Sequence, residues 1–203
     1  MGRIDATADR RTAPRAAFAP VSAPGEVRVL VHPEAADAID ALAPEWTALA
    51  ETASEPNAFA EHWFVATSLR TLAKDDDVRL LEVRRGERLI GLLPVVVHQG
   101  YARLPVRILQ NWVHDHMFLG TPLIAAGEEL AFWSAALEGL DAADWAPGLF
   151  HVRGLVENGP VHRALVEVRQ GLTVHRRVRA LLESGAKHGK VQRDSSDPDP
   201  FGV

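Results

Sequence analysis

The sequence predicts a mixed α/β domain, and three observations carry that prediction. Val78–Val97, VRLLEVRRGERLIGLLPVVV, reads as two apolar strands joined at Arg85-Gly86-Glu87-Arg88, a β-hairpin with a loop longer than the minimum. Glu34–Glu51 and Glu128–Leu140 repeat apolar residues at the helical period of 3.6. The chain has 203 residues, 47% of them apolar and 24% charged, enough for one domain with a buried core.

In chain order, residues 1–25 are rich in Ala and Pro with no apolar period, and a disordered leader is expected there. Glu26–Val31 alternates and predicts the first strand. In Glu34–Glu51 the residues Ile39, Leu42, Trp46 and Leu49 share a face, and Pro44 is expected to kink the helix or start a second one. Asn57 is a good N-cap for the next helix, with Val65, Leu69 and Leu72 on one face and Phe59 and Trp63 a turn apart. Trp46, Trp63 and Trp133 fit core faces, whereas Trp112 and Trp145 are less well placed and either suits a pocket border.

Leu89–Val97 is apolar on both faces, which marks a central strand. Pro94 lies inside it, and proline cannot donate to a ladder, so the strand should bulge or part from a neighbour there. Gly91 marks a place where backbone or ligand could approach closely. Val106–Val113 predicts another strand, paired with Gln99–Leu104, and Phe118–Ile124 a further extended run broken by Gly-Thr-Pro. In Glu128–Leu140 the helical face is Leu130, Trp133, Leu137 and Leu140. Leu149–Leu155 is a strand, Asn158-Gly159-Pro160 starts a short helix, and Leu172–Leu182 is a last strand or mixed segment. Residues 183–203 hold almost no large apolar side chains and are expected to be a disordered tail.

Composition narrows the chemistry. Cysteine is absent, which excludes disulfides, cysteine nucleophiles and thiolate metal sites. The net charge of −5 argues against a nucleic-acid partner. No apolar run approaches the roughly 20 residues that span a bilayer, and the start has no apolar core of a secretory signal. A cytoplasmic protein is therefore expected. No GxSxG elbow, P-loop, GxGxxG or HExxH occurs.

The candidate site is the polar group that follows a strand directly: Asn111, His114, Asp115 and His116. On a strand, His114 and His116 would share a face about 7 Å apart, from the ~3.3 Å rise per residue. Such a pair needs a third ligand to hold a metal, and no second cluster stands at a telling distance, so no metal is expected. A general acid/base role is open, since His titrates near neutrality and a carboxylate can orient it.

EWTALAETASEPNAFAEHWFVATSL, then VRLLEVRRGERLIGLLPVVV, then LPVRILQNWVHDHMFLGTPLIA resemble the N-terminal half of GNAT-type acetyltransferases of the cellulose-biosynthesis CelD-like group. The likeness runs from about Val27 to Leu182 and rests most on the Trp46 helix, Phe59/Trp63 and the phrase ERLIGLLP. It implies a central, mostly antiparallel sheet flanked by helices, and two GNAT-like halves in one chain. It implies acyl transfer from acetyl-CoA to a small-molecule or saccharide acceptor, with the acyl-CoA between splayed central strands and its pyrophosphate on a helix N-terminus. The Arg/Gln-x-x-Gly-x-Gly/Ala phrase of that family is missing: His98-Gln99-Gly100-Tyr101-Ala102-Arg103 stands in its place, and no cofactor-binding residue is assigned. Residues 26–182 are thus expected to form the N-terminal half-domain, the second half being truncated. Two other readings follow from the same residues. One is a non-catalytic binding or assembly module that associates through an exposed half-domain interface; the other is a metal-dependent enzyme using His114, Asp115 and His116.

Overall fold

A computed structural model describes residues 25–73, 76–101 and 103–171, and the backbone of 179–184. Seven strands form one sheet: β1 (Val27–His32), β2 (Arg79–Arg85), β3 (Arg88–His98), β4 (Ile108–Asn111), β5 (Leu123–Ile124), β6 (Leu149–Leu155) and β7 (Arg179–Ser184). Their order is β1-β2-β3-β4-β6-β7, with β5 beside β3. The pairs among β1 to β5 are antiparallel, and β4-β6 and β6-β7 are parallel. Helix α1 (Ala35–Glu51) and helix α2 (His62–Leu72) link β1 to β2, α3 (Glu129–Ala142) links β5 to β6, and α4 (Pro160–Gly171) links β6 to β7. The expected mixed α/β architecture, a mostly antiparallel sheet flanked by helices, is what the chain adopts.

The alternation of the strands divides the core in two. Leu80, Leu92 and Val96 face α1 and α2, where they meet Ile39, Trp46, Leu49, Val65 and Leu69. Leu81, Val83, Val95 and Leu109 face α3 and α4, where they meet Phe132, Trp133, Leu137 and Leu165. Trp46 and Trp133 are the largest fully buried side chains of the two layers, and full burial of a large apolar side chain contributes about 1.5–3 kcal/mol.

Several expectations change. The hairpin loop is minimal: only Gly86-Glu87 separates the strands, and Gly86 takes the left-handed turn position at φ +58°. The irregularity lies in the strand instead, where Ile90 is the extra residue of a bulge between the Val83–Gly91 and Arg84–Leu89 pairs. Pro44 neither ends nor divides α1, which runs unbroken through it. Gln99–Leu104 is not a strand; it closes on itself through a single Tyr101–Leu104 bridge, and β4 pairs with β3 instead. Of Phe118–Ile124, only Leu123–Ile124 is strand. Trp63, Leu72 and Leu130 are exposed, not core, because α2 and α3 each lie on one sheet face with a narrower buried stripe. Asn57 caps a short 3₁₀ turn, Ala58–Ala60, by accepting from Phe59 N–H, and α2 begins after it. Gly91 is bare because the Phe132 ring lies against it; a Cβ there would sit 2.2 Å from Phe132 Cδ2. Glu183 and Ser184, assigned to the tail by composition, pair in β7. The rest of the expected leader and tail lies outside the described residues.

Candidate functional site

β3 changes partner along one edge. Gly91 and Leu92 pair with β5, and Val95 to His98 pair with β4. Pro94 falls between the two, as the sequence predicted, because it has no N–H to give to either. Its carbonyl accepts from Trp112 N–H at 2.8 Å, which brings the chain after β4 back over the gap. A small cleft of about 20 Å³ results, room for one water-sized group, lined among others by Trp46, Phe59, Pro94, Trp112, Met117 and Thr121. Asn57 fixes two of the walls at once: its Nδ2 donates to Thr121 O at 2.8 Å, while its Oδ1 holds the Phe59 turn. Trp46 Nε1 donates to Ala60 O at 2.8 Å and ties the same turn to α1.

Beside the cleft, rings form a continuous patch. His114 stacks on Phe64 with centroids 5.8 Å apart and lies 5.1 Å from Trp112. Phe64 meets Phe59 and Trp63, and Phe59 meets Phe118. Trp63 and Phe118 stand 60% and 79% exposed, which makes the outer end of this patch open to solvent. His114 Nδ1 accepts from His116 N–H at 3.3 Å, so the neutral ring carries its proton on Nε2, and that atom is buried without a partner. Burial, and then the neighbouring His116, hold the imidazole below its usual range, although Asp115 pulls the other way. With one nitrogen engaged and the other protonated and enclosed, His114 offers no free lone pair to a substrate. Asp115 and His116 are exposed beyond it, and the His114 and His116 rings stand 5.9 Å apart. Among the described residues no three His, Asp or Glu side chains come together to hold a metal.

Asn111, the fourth candidate, lines the cleft and has its amide engaged by backbone groups. The parallel pair β4-β6 has only two ladder pairs, Leu109–Phe150 and Gln110–His151. Beyond them the strands part, and Asn111 spans the opening. Its Nδ2 donates to Gly120 O at 2.9 Å and Arg153 O at 3.0 Å, and its Oδ1 accepts from Arg153 N–H at 2.8 Å. Gly120 N–H donates to Gly154 O at 2.8 Å. A Cβ on Gly120 would lie 2.2 Å from Arg153 O, so only glycine fits this seam. The gap where a splayed-strand ligand would enter is therefore closed by the chain itself.

The helix N-termini near the parallel strands already carry carboxylates. At the start of α3, Glu129 Oε1 accepts from Gly127 N–H at 3.1 Å, and the buried Glu128 carboxylate pairs with Arg85 at 2.7 Å and with Arg88. The hydrogen bonds from Arg85, partly opposed by burial, hold Glu128 below the usual carboxylate range. At the start of α4, Glu55 Oε1 accepts from Val161 N–H at 3.0 Å. A carboxylate at a helix N-terminus uses the donors and the positive dipole end that a phosphate would use.

A further charged group straps α1 to the sheet. Glu82, only 2% exposed on β2, accepts from His32 Nε2 at 2.6 Å and from Arg84, whose guanidinium also grips Glu45 of α1. Burial would raise the Glu82 carboxyl, but the bonds from His32 and Arg84 outweigh it and leave the group below its usual range.

Sequence reasoning missed Glu55, Glu82, Glu128 and Thr121. Glu82 did carry a signal, a lone acid in the apolar run VRLLEV; the other three depend on long-range contacts that local pattern does not contain. Comparison with known protein families, curated proteins and solved structures finds no match. No helix among the described residues is long and apolar enough to cross a membrane.

Proposed function

We propose that this domain is the acceptor-recognising part of a GNAT-like, CoA-dependent acyltransferase, with the aromatic cleft as its recognition site. One contrast carries the reading. The cleft at the β3 partner switch is walled by Trp46, Phe59 and Trp112 and has no charged group, whereas the interstrand gap is spanned by Asn111, the start of α4 is held by Glu55, and the start of α3 carries the carboxylates of Glu128 and Glu129. In the reaction, an amine or hydroxyl of the acceptor attacks the thioester carbonyl. The carbon–sulfur bond breaks, the CoA thiol leaves, and the nucleophile's proton passes to a base. This domain supplies the walls that orient the acceptor, and a separate module holds the CoA phosphates and supplies the base. Calorimetry with acetyl-CoA tests the division of labour. No saturable heat is expected from this chain alone, and tight binding would overturn it.

A second reading, an assembly module, is favoured by one observation: Trp63 and Phe118 leave the outer end of the ring patch exposed. Sedimentation velocity over a concentration series separates the two. Self-association that is lost in Trp63→Ser and Phe118→Ser would favour assembly, and a monomer at all concentrations would favour recognition.

A further inference from the structure

The cleft's own chemistry narrows what it takes. Its walls are aromatic rings, Pro94, Met117 and aliphatic side chains, with no charged group among them. Only two lining side chains, Asn111 and Thr121, are polar. Asn111 has both its amide atoms engaged by Gly120 and Arg153. Thr121 differs: it is 2% exposed, and its Oγ1 is buried with no hydrogen-bond partner among the described residues. An unsatisfied buried hydroxyl costs about 1–3 kcal/mol, so it marks a place where a partner is missing. Met117 in the lining, unbranched and only half-buried, can shift its side chain to admit more than the one water-sized group for which the cleft has room.

We infer that the cleft binds an uncharged aryl or branched-alkyl group carrying one hydrogen-bonding atom, which Thr121 Oγ1 engages. This rests on the recognition reading above and sharpens it. A sugar ring, with a hydroxyl on nearly every carbon, would bury several polar groups against one available partner, and each unmatched group is costly. The acceptor is thus recognised by an apolar portion, not by a saccharide face.

Three probes test this by the tryptophan indole N–H signals in ¹⁵N-labelled protein: phenol, toluene and methyl glucopyranoside. Phenol should shift the Trp46 and Trp112 signals and leave Trp133, across the sheet, unmoved. Phenol should bind about fivefold to tenfold tighter than toluene, the worth of one hydrogen bond. Thr121→Val should abolish that preference while toluene binding survives, and Thr121→Ser should keep it. Shifts with the glucopyranoside but not with phenol would overturn the inference yet leave acceptor recognition standing. A phenol preference that persists in Thr121→Val would overturn the role of the hydroxyl. Silence from all three probes in a folded protein would overturn both the inference and the recognition reading.

Discussion

Asn111 and Thr121 stand at the two ends of one bent segment, both buried and both polar, and their side chains meet opposite fates. Asn111 makes three hydrogen bonds to backbone groups and sews β4 to β6. Thr121 lends its carbonyl to Asn57 and leaves its hydroxyl unsatisfied beside an apolar cleft. Satisfied polar groups hold a fold together; unsatisfied ones mark where a fold expects company. Charge separates the two kinds of place as well: the starts of α3 and α4 carry Glu128, Glu129 and Glu55, and the cleft lining carries no charged group.

Breaking the seam should have the largest effect. Asn111→Ala removes three hydrogen bonds to the backbone of Gly120 and Arg153, and a loss of about 3 kcal/mol or more is expected in chemical denaturation. A loss under about 1 kcal/mol would mean that water replaces the amide and that the seam is not closed. Gly120→Ala comes next. Its Cβ would press on Arg153 O and on Asn111 Nδ2, backbone and a locked amide that cannot yield cheaply. About 2 kcal/mol of destabilisation is expected by thermal or urea melts.

How much of this was legible in the sequence can be judged on particular residues. The helix faces, the central place of β3 and the parting at Pro94 were legible because each follows from local period or from proline's missing donor. The roles of Trp63 and Leu130 were not: a helix shows its apolar stripe, but only the packed sheet decides how wide a stripe is buried. The His-Asp-His run drew attention because polar residues clustered in sequence. In space the His114 ring packs on Phe64 and Trp112, His116 and Asp115 are exposed, and Asn111 lines the cleft while its amide bonds backbone groups. Thr121, a residue type with no chemical distinction in sequence, became visible only through the absence of a partner.

The smaller effects sharpen the comparison from the cleft side. His114 is held below its usual range, so the unfolded chain binds its proton first as pH falls. Stability should therefore decline as pH drops below about 6.5 and on through the lowered value. His114→Phe keeps the ring stack and removes the proton, so its stability should fall less over that interval, as read by urea midpoints at a series of pH values. Equal slopes for the two proteins would remove His114 from the account. Smallest of all, Thr121→Val should change stability by less than about 1 kcal/mol, and toward greater stability, because it removes an unsatisfied hydroxyl without opening a void.

On the proposed division of labour the cleft takes the acceptor, and the starts of α3 and α4, which carry Glu128, Glu129 and Glu55, offer no phosphate site. The most direct test is a titration with acetyl-CoA, followed through the backbone amide signals of Gly127–Leu130 and Gly159–Val161. None of them is expected to move. Saturable shifts at either helix start, weakened by added inorganic phosphate, would contradict it.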